Sequence, residues 1–382
     1  MRVFVYIIVF FSFFDLFTQL PIMTPLATSL GATPLLAGLA VGMYSFSNTI
    51  GNVASGFLTD KKGPFLILVA GLFSSGLMLF SYHLADNAWT LLFVRFLHGL
   101  TAGLIVPAAF TYLANSITEN KKGKGSALSG AFVGLAAVIG PAFSGILSSK
   151  TNEVTVLTVT AIALIILGLL SFIFLRSKVV TRKEDKQPKD KLTVRSFFQN
   201  SLMIKAFSGA FFLMFSQGVL AYMLPLKVVD LGQDTQTSGL LLSTFGIVAI
   251  LIFVLPTNNV FDRVKPVKTV TFGMGMMGIS LLLISLASSI PFMYIIMGLY
   301  GIGFAFLFPS LNSILIEATE ETNRGKAYGY FYAFFSFGVV IGSGITGLLE
   351  LSANGGFMLA GILLVVVASV ILLKRDTFRQ EA

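Results

Sequence analysis

Leu58-Thr59-Asp60-Lys61-Lys62-Gly63-Pro64 and Val260-Phe261-Asp262-Arg263-Val264-Lys265-Pro266 are one turn written twice, 202 residues apart. Each sets an acid, basic residues and a closing proline between two long apolar runs. The same offset continues without a gap, carrying Gly99 onto Gly301, Pro107 onto Pro309, Lys122-Gly123 onto Arg324-Gly325, Gly140 onto Gly342 and Gly145 onto Gly347. Upstream of the turns the offset is 201, pairing Leu30-Gly31 with Leu231-Gly232, so one residue is inserted in the eighth apolar run. The chain is an internal repeat, and the fold read for one half must serve the other.

The apolar runs say what kind of fold that is. Of 382 residues 55% are apolar and only 11% charged, with a mean hydropathy of +0.88, whereas a soluble domain is about 25% charged. That excludes a soluble enzyme, a disordered chain and a nucleic-acid binder. A spanning helix takes about 20 mostly apolar residues. Twelve such runs lie near 4–29, 34–58, 65–84, 88–113, 126–148, 154–175, 203–227, 238–259, 267–288, 291–316, 327–349 and 355–373. The first begins like a signal peptide, but Asp15 and Pro21 interrupt it, and it reads as a retained helix. The expectation is an all-α integral membrane protein of two six-helix bundles, 1–175 and 203–382, joined by a basic cytoplasmic linker over 176–202.

Charge placement agrees with that count. With both termini in the cytoplasm, 23 of the 26 lysines and arginines fall on the inner side, Lys150 and Lys227 fall outside, and Arg95 lies within a helix. This is the positive-inside pattern. It accounts for the net charge of +9 without a polyanionic partner. The chain has no cysteine and two histidines, which leaves no disulfide framework, no thiolate site and no zinc centre. Two parallel six-helix repeats place a substrate site at their interface near the midplane.

Three motifs carry a family resemblance over essentially the whole chain. Gly56-Phe57-Leu58-Thr59-Asp60-Lys61-Lys62-Gly63 matches a G-x-x-x-D-[R/K]-x-G loop, echoed by Asp262-Arg263. Arg95-Phe96-Leu97-His98-Gly99 matches R-x-x-q-G with histidine for glutamine. Gly130, Gly134 and Gly140-Pro141-Ala142-Phe143-Ser144-Gly145 follow a G-x(n)-G-P-x-x-G-G signature with Ser144 for one glycine. With these motifs the sequence resembles the major facilitator superfamily, and within it the twelve-helix drug–proton antiporter-1 family. The resemblance implies a major facilitator fold in a bacterial cell membrane. It also implies export by proton antiport with alternating access, powered by the proton gradient without a cofactor. The expected partners are a small-molecule substrate, protons and the lipid bilayer, with no nucleic acid and a monomeric chain. Gates are expected at Asp60 and Asp262, each facing a helix N-terminus of the opposite half.

Residue chemistry singles out the coupling site. An arginine in a membrane helix is costly unless paired or hydrated, which marks Arg95 as functional; His98 lies nearly one turn deeper. Asp15 lies about 16 Å along the first helix, near midplane, where no other acid sits so deep. Phe11 and Phe14 flank it and favour its neutral form, while hydration or Arg95 favours the charged one. Asp15, Arg95 and His98 are the candidates for proton coupling. Gln19, Asn48, Gln217 and Asn312, with Phe11 and Phe14, are candidates for a cavity suited to lipophilic or amphipathic compounds. Each polar one serves equally well as a bridge between helices. Two alternatives remain at this stage: an exporter of one metabolite such as a sugar, amino acid or siderophore-like molecule, and a non-transporting receptor or lipid-handling protein.

Overall fold

The computed structural model describes residues 2–116, 122–175, 199–254, 264–319 and 324–373. The helices are α1 (Arg2–Thr18), α2 (Met23–Ser29), α3 (Pro34–Lys62), α4 (Pro64–Phe80), α5 (Ala88–Ala102), α6 (Ile105–Ser116), α7 (Lys122–Lys150), α8 (Glu153–Leu175), α9 (Ser201–Asp230), α10 (Thr235–Val254), α11 (Pro266–Leu286), α12 (Ile290–Glu317), α13 (Arg324–Leu348) and α14 (Ala353–Leu373). A 3-10 turn, Ser81–Leu84, extends α4. Among the described residues ten helices are long and apolar enough to span a membrane, and α1 with α2 makes an eleventh, bent by 46°. Each of the twelve apolar runs of the sequence becomes a helix or a consecutive pair. The least apolar run is α3, which is 29 residues long but carries Ser45, Ser47, Asn48, Thr49, Asn52, Ser55 and Thr59.

Local chemistry sets the breaks that matter. Pro21 has no N–H for the carbonyl of Phe17, and Leu20 N–H reaches it instead at 3.3 Å, in the tighter i to i−3 pattern. The helix resumes where Met23 N–H bonds to Gln19 O at 3.0 Å. Asp15 therefore sits in the last turn of α1, just before a bend. Its carbonyl is satisfied by side chains, Thr18 Oγ1 at 2.9 Å and Gln19 Nε2 at 2.8 Å. At α5 the Asn87 side chain accepts from Trp89 N at 2.9 Å and Thr90 N at 3.0 Å, while Thr90 Oγ1 accepts from Asn87 N at 3.1 Å. This reciprocal cap, worth about 1 kcal/mol, fixes the start of the helix that carries Arg95 and His98.

The chain forms two compact units. The first contains α1 to α8 with residues 221–243 and 343–350, and the second contains the remaining described residues. Within the first, α3 packs on α5, α1 on α7 and α4 on α8. Within the second, α11 packs on α12 and α14. The unit boundaries cut α9, α10 and α13, so the ends of these helices next to the short, non-basic joints belong to the first unit. There Thr24 Oγ1 lies 3.2 Å from Tyr222 O, and Tyr222 OH donates to Pro34 O at 2.9 Å.

The crossings at this end obey the repeat. A Cβ on Gly38 would meet the backbone of Ser343, and one on Gly239 would meet that of Pro141. Gly347 faces Pro34, and Gly145 faces Thr235. The offsets of 201 and 202 turn each α3–α13 contact into its α10–α7 counterpart. Small residues allow backbones to approach this closely.

Candidate functional site

Asp15, Gln19, Tyr44, Tyr82, Arg95 and His98 converge in one buried cluster of the first unit, with Asp15 1%, Arg95 3% and His98 0% exposed. His98 Nε2 lies 3.2 Å from Asp15 Oδ2 without hydrogen-bond alignment. Tyr44 OH donates to the same oxygen at 3.4 Å. The other carboxylate oxygen, Oδ1, accepts from Gln19 Nε2 at 3.0 Å. Asp15 is thus held by α1 itself, by α3 and by α5.

Arg95 has five donors and no acceptor, and the cluster takes up four of them. Nε donates to Ala40 O at 2.8 Å, and an Nη to Val41 O at 3.1 Å. The other Nη donates to Gln19 Oε1 and, at 3.4 Å, to Tyr82 OH. The guanidinium also lies over the Tyr44 ring, 5.1 Å from its centroid. Burial of a cation this deep is tolerated because carbonyl dipoles and a π-face replace water. Gln19 is the link between the two charges, accepting from Arg95 and donating to Asp15.

The remaining sequence candidates divide by what they touch. Asn48 donates to Gly99 O at 3.3 Å and accepts from Asn52 Nδ2 at 3.0 Å, so it ties α3 to α5. Gly99 makes that approach close, since a Cβ there would collide with the backbone of Tyr44. Phe14 packs on Phe143 of α7 at 5.3 Å, and half-buried Phe11 meets Phe10 and Phe14 edge-on. In the second unit, half-buried Gln217 has an Nε2 without a hydrogen-bond partner, and Asn312 is half-buried on α12. Gly134 lies half-exposed on α7, and Gly140 packs against Phe17 of α1.

The gate turn is described in part. Gly63 joins α3 to α4 at φ 81°, in the left-handed region that glycine takes without steric cost. Gly56 has open space around it, and Lys61 is exposed. Asp60 lies in the last turn of α3, with its side chain outside the described part, and Asp262 and Arg263 lie outside the described residues.

Sequence reasoning missed Tyr44 and Tyr82. Tyr44 was within reach, because Tyr44, Asn48 and Asn52 recur every four residues on one face of α3. Tyr82 lies in the 3-10 turn, outside any helical periodicity.

Comparison with known proteins follows this geometry. The family model of the Major Facilitator Superfamily matches residues 5–227 and again 206–382. Multidrug resistance protein MdtG of Escherichia coli strain HS is 26% identical over 346 residues, covering 86% of this chain and 81% of that protein. An MFS-type transporter of Methanocaldococcus jannaschii is 23% identical over 336 residues, 86% of each chain. Among solved structures, the nucleoside transporter NupG superposes with a TM-score of 0.78 at 13% identity, covering 97% of each chain. A POT family transporter in complex with 5-aminolevulinic acid gives 0.78 at 15%, covering 97% of this chain and 95% of its own.

Proposed function

The chain belongs to the Major Facilitator Superfamily, and on that premise we propose that it is a proton antiporter exporting small lipophilic or amphipathic compounds by alternating access. Membership makes it a transporter and sets aside both an enzyme and a non-transporting receptor. The observation that carries the finer reading is the Asp15–His98 contact, a buried acid and a buried base 3.2 Å apart beside the bend of α1. A carboxylate in such a place holds a proton when desolvated and releases it when water or a cation reaches it. The likeness to a multidrug resistance protein supports the substrate class, as does the density of phenylalanine, 38 of 382 residues.

Direction follows from charge placement. With the basic joints in the cytoplasm, the Gly38–Ser343 and Gly239–Pro141 crossings lie at the outer end and hold it closed. Asp60 then stands at the inner end, ready to close that side when the outer one opens. The chain works as a monomer in a bacterial cell membrane, with protons as its only energy source.

Reconstituted vesicles test the reading. Asp15→Asn mimics the protonated acid, so it abolishes concentrative export driven by a pH gradient while downhill movement of a neutral substrate continues. Full gradient-driven accumulation by the well-folded variant would overturn the assignment of Asp15.

A further inference from the structure

Arg95 fixes one hydrogen-bond role in the cluster, and the remaining hydrogens then have two arrangements that differ by the tautomer of His98. Arg95 can only donate, so at the 3.4 Å contact the Tyr82 hydroxyl is the acceptor. Its own hydrogen is then available for His98 Nδ1, 3.2 Å away. In the arrangement that gives the Tyr82 hydrogen an acceptor, Nδ1 carries no hydrogen and the neutral imidazole holds it on Nε2; in the other, Nδ1–H donates to the second lone pair of Tyr82. Nε2 lies 3.2 Å from Asp15 Oδ2, off hydrogen-bond alignment in this conformation, so transfer requires a small rotation of the carboxylate. The ring is fixed in place from both sides, edge-on to Tyr44 at 5.1 Å and to Tyr82 at 5.7 Å between centroids.

We infer that Tyr82 and His98 are a proton relay to Asp15, in which Arg95 orients Tyr82 and Tyr82 selects the Nε2–H form of His98. This rests on the reading of Asp15 as the coupling acid and adds the route by which its proton arrives. Tyr82 is 1% exposed, so the step belongs to a state in which the turn carrying it is wetted: a proton then binds the Tyr82 oxygen as the hydroxyl hydrogen passes to Nδ1. The Nε2–H bond breaks and an O–H bond forms on Asp15 Oδ2. Tyr82 loses one hydrogen and gains one, His98 changes tautomer, and the net result is one proton on Asp15. In the product state Nδ1–H donates to Tyr82, whose two lone pairs serve both His98 and Arg95, and Nε2 accepts from the acid.

The groups facing His98 are Asp15 on α1, Tyr44 on α3, Tyr82 in the turn after α4 and Arg95 on its own helix. The relay runs from that turn, at the non-basic end, toward the α1 bend. An importer of external protons needs that direction. His83, the neighbouring residue, is bonded instead to Thr158 Oγ1 at 2.8 Å and is exposed.

Two histidines in the chain make the test clean. Nitrogen-15 histidine spectra of the full chain in lipid nanodiscs, with His83→Gln to assign the signals, report the His98 tautomer directly. The expected result is the Nε2–H form with Asp15 ionised, turning to the Nδ1–H form in Asp15→Asn. Tyr82→Phe is expected to release the tautomer bias and slow proton-driven export at least tenfold. It should also shift the pH profile of export. An Nδ1–H form in the unaltered chain at high pH overturns the relay even if Tyr82→Phe does not fold. An unchanged export rate and pH profile in a folded Tyr82→Phe overturns it as well. Failure of Asp15→Asn to uncouple would strike the reading of Asp15 and leave the tautomer result standing, so the two failures are distinguishable.

Discussion

Ser216 Oγ and Tyr300 OH lie 2.8 Å apart at the two positions of the second repeat that correspond to Asp15 and His98. The correspondence extends to the third ring. Phe245 lies edge-on to Tyr300 at 5.7 Å, as Tyr44 does to His98 at 5.1 Å. The partners that surround the acid in the first repeat have apolar counterparts in the second. Gln19 becomes Leu220, Tyr82 becomes Ile284 and Arg95 becomes Met297. One scaffold thus carries a titratable pair in one half and a neutral hydroxyl pair in the other. On the proposed reading proton chemistry belongs to the first repeat alone, and the Ser216–Tyr300 pair serves only to tie α9 to α12.

Tyr300→Phe tests that division. Ser216 Oγ keeps its bond to Leu213 O at 2.7 Å, so only one neutral hydrogen bond is lost. The expected cost is about 0.5–1.5 kcal/mol of stability, read as a small drop in melting temperature. Stimulation of export by a pH gradient should match the unaltered chain. Loss of that stimulation in a folded variant would place a proton step in the second repeat.

Arg95 makes a different prediction because it serves several partners at once. Arg95→Ala leaves the Gln19 amide oxygen without its donor and removes a second bond from the helical carbonyls of Ala40 and Val41. A buried group left unpaired costs about 1–3 kcal/mol, so the variant should lose at least about 1 kcal/mol along with gradient-driven export. Arg95→Lys keeps the charge but lacks the planar fork, and it should fall between the two. Thermal melts and vesicle export check both, and an alanine variant indistinguishable from the unaltered chain would make the guanidinium dispensable.

Much of this arrangement is legible in the sequence, and the parts that are not share a reason. The repeat offset, the apolar runs and the charge asymmetry of the joints define the fold, because bilayer thickness and backbone satisfaction leave few alternatives. Asp15 and Arg95 stand out because a charge in a membrane helix needs an explanation. Gln19 does not, since an amide on a helix face serves a substrate or a neighbour equally well; only the fold brings Arg95 and Asp15 to its two ends. The bend at Pro21 is written in the sequence, but its direction depends on how α2 packs. Tyr82 follows from neither pattern nor charge, because its place depends on where the 3-10 turn stops.

The proposed inner gate is tested at Asp60, where helix-end electrostatics would contribute about 0.3–2 kcal/mol to the state closed inside. Asp60→Asn should therefore favour the state that is open inside. Cysteines introduced along the cavity of this cysteine-free chain should label faster from the cytoplasmic side. Equal labelling and equal transport would remove Asp60 from the gate.

The outer crossings make the most direct conformational prediction. A side chain on Gly38 or Gly239 would strike main-chain atoms of the partner helix, Ser343 or Pro141. A carbonyl in a helix cannot rotate away as a flexible side chain can, so the helices must separate. Overpacking of this kind costs about 1–3 kcal/mol, and the cost falls only on the state in which the crossing is closed. Gly239→Val should therefore move the population toward the state open outside by roughly fivefold to a hundredfold or more, at about 1.4 kcal/mol per factor of ten. Lys150 and Gln233 are exposed at this end of the first unit, on either side of the α7–α10 crossing. Spin labels at these two positions, introduced as the only cysteines, report the separation by pulsed resonance. The expected result is a longer distance in Gly239→Val, with Gly239→Ala between it and the unaltered chain. By the repeat offset Gly38→Val should act in the same direction through α3 and α13. An unchanged distance distribution in a folded Gly239→Val would mean that the crossing is not what holds the outer end shut.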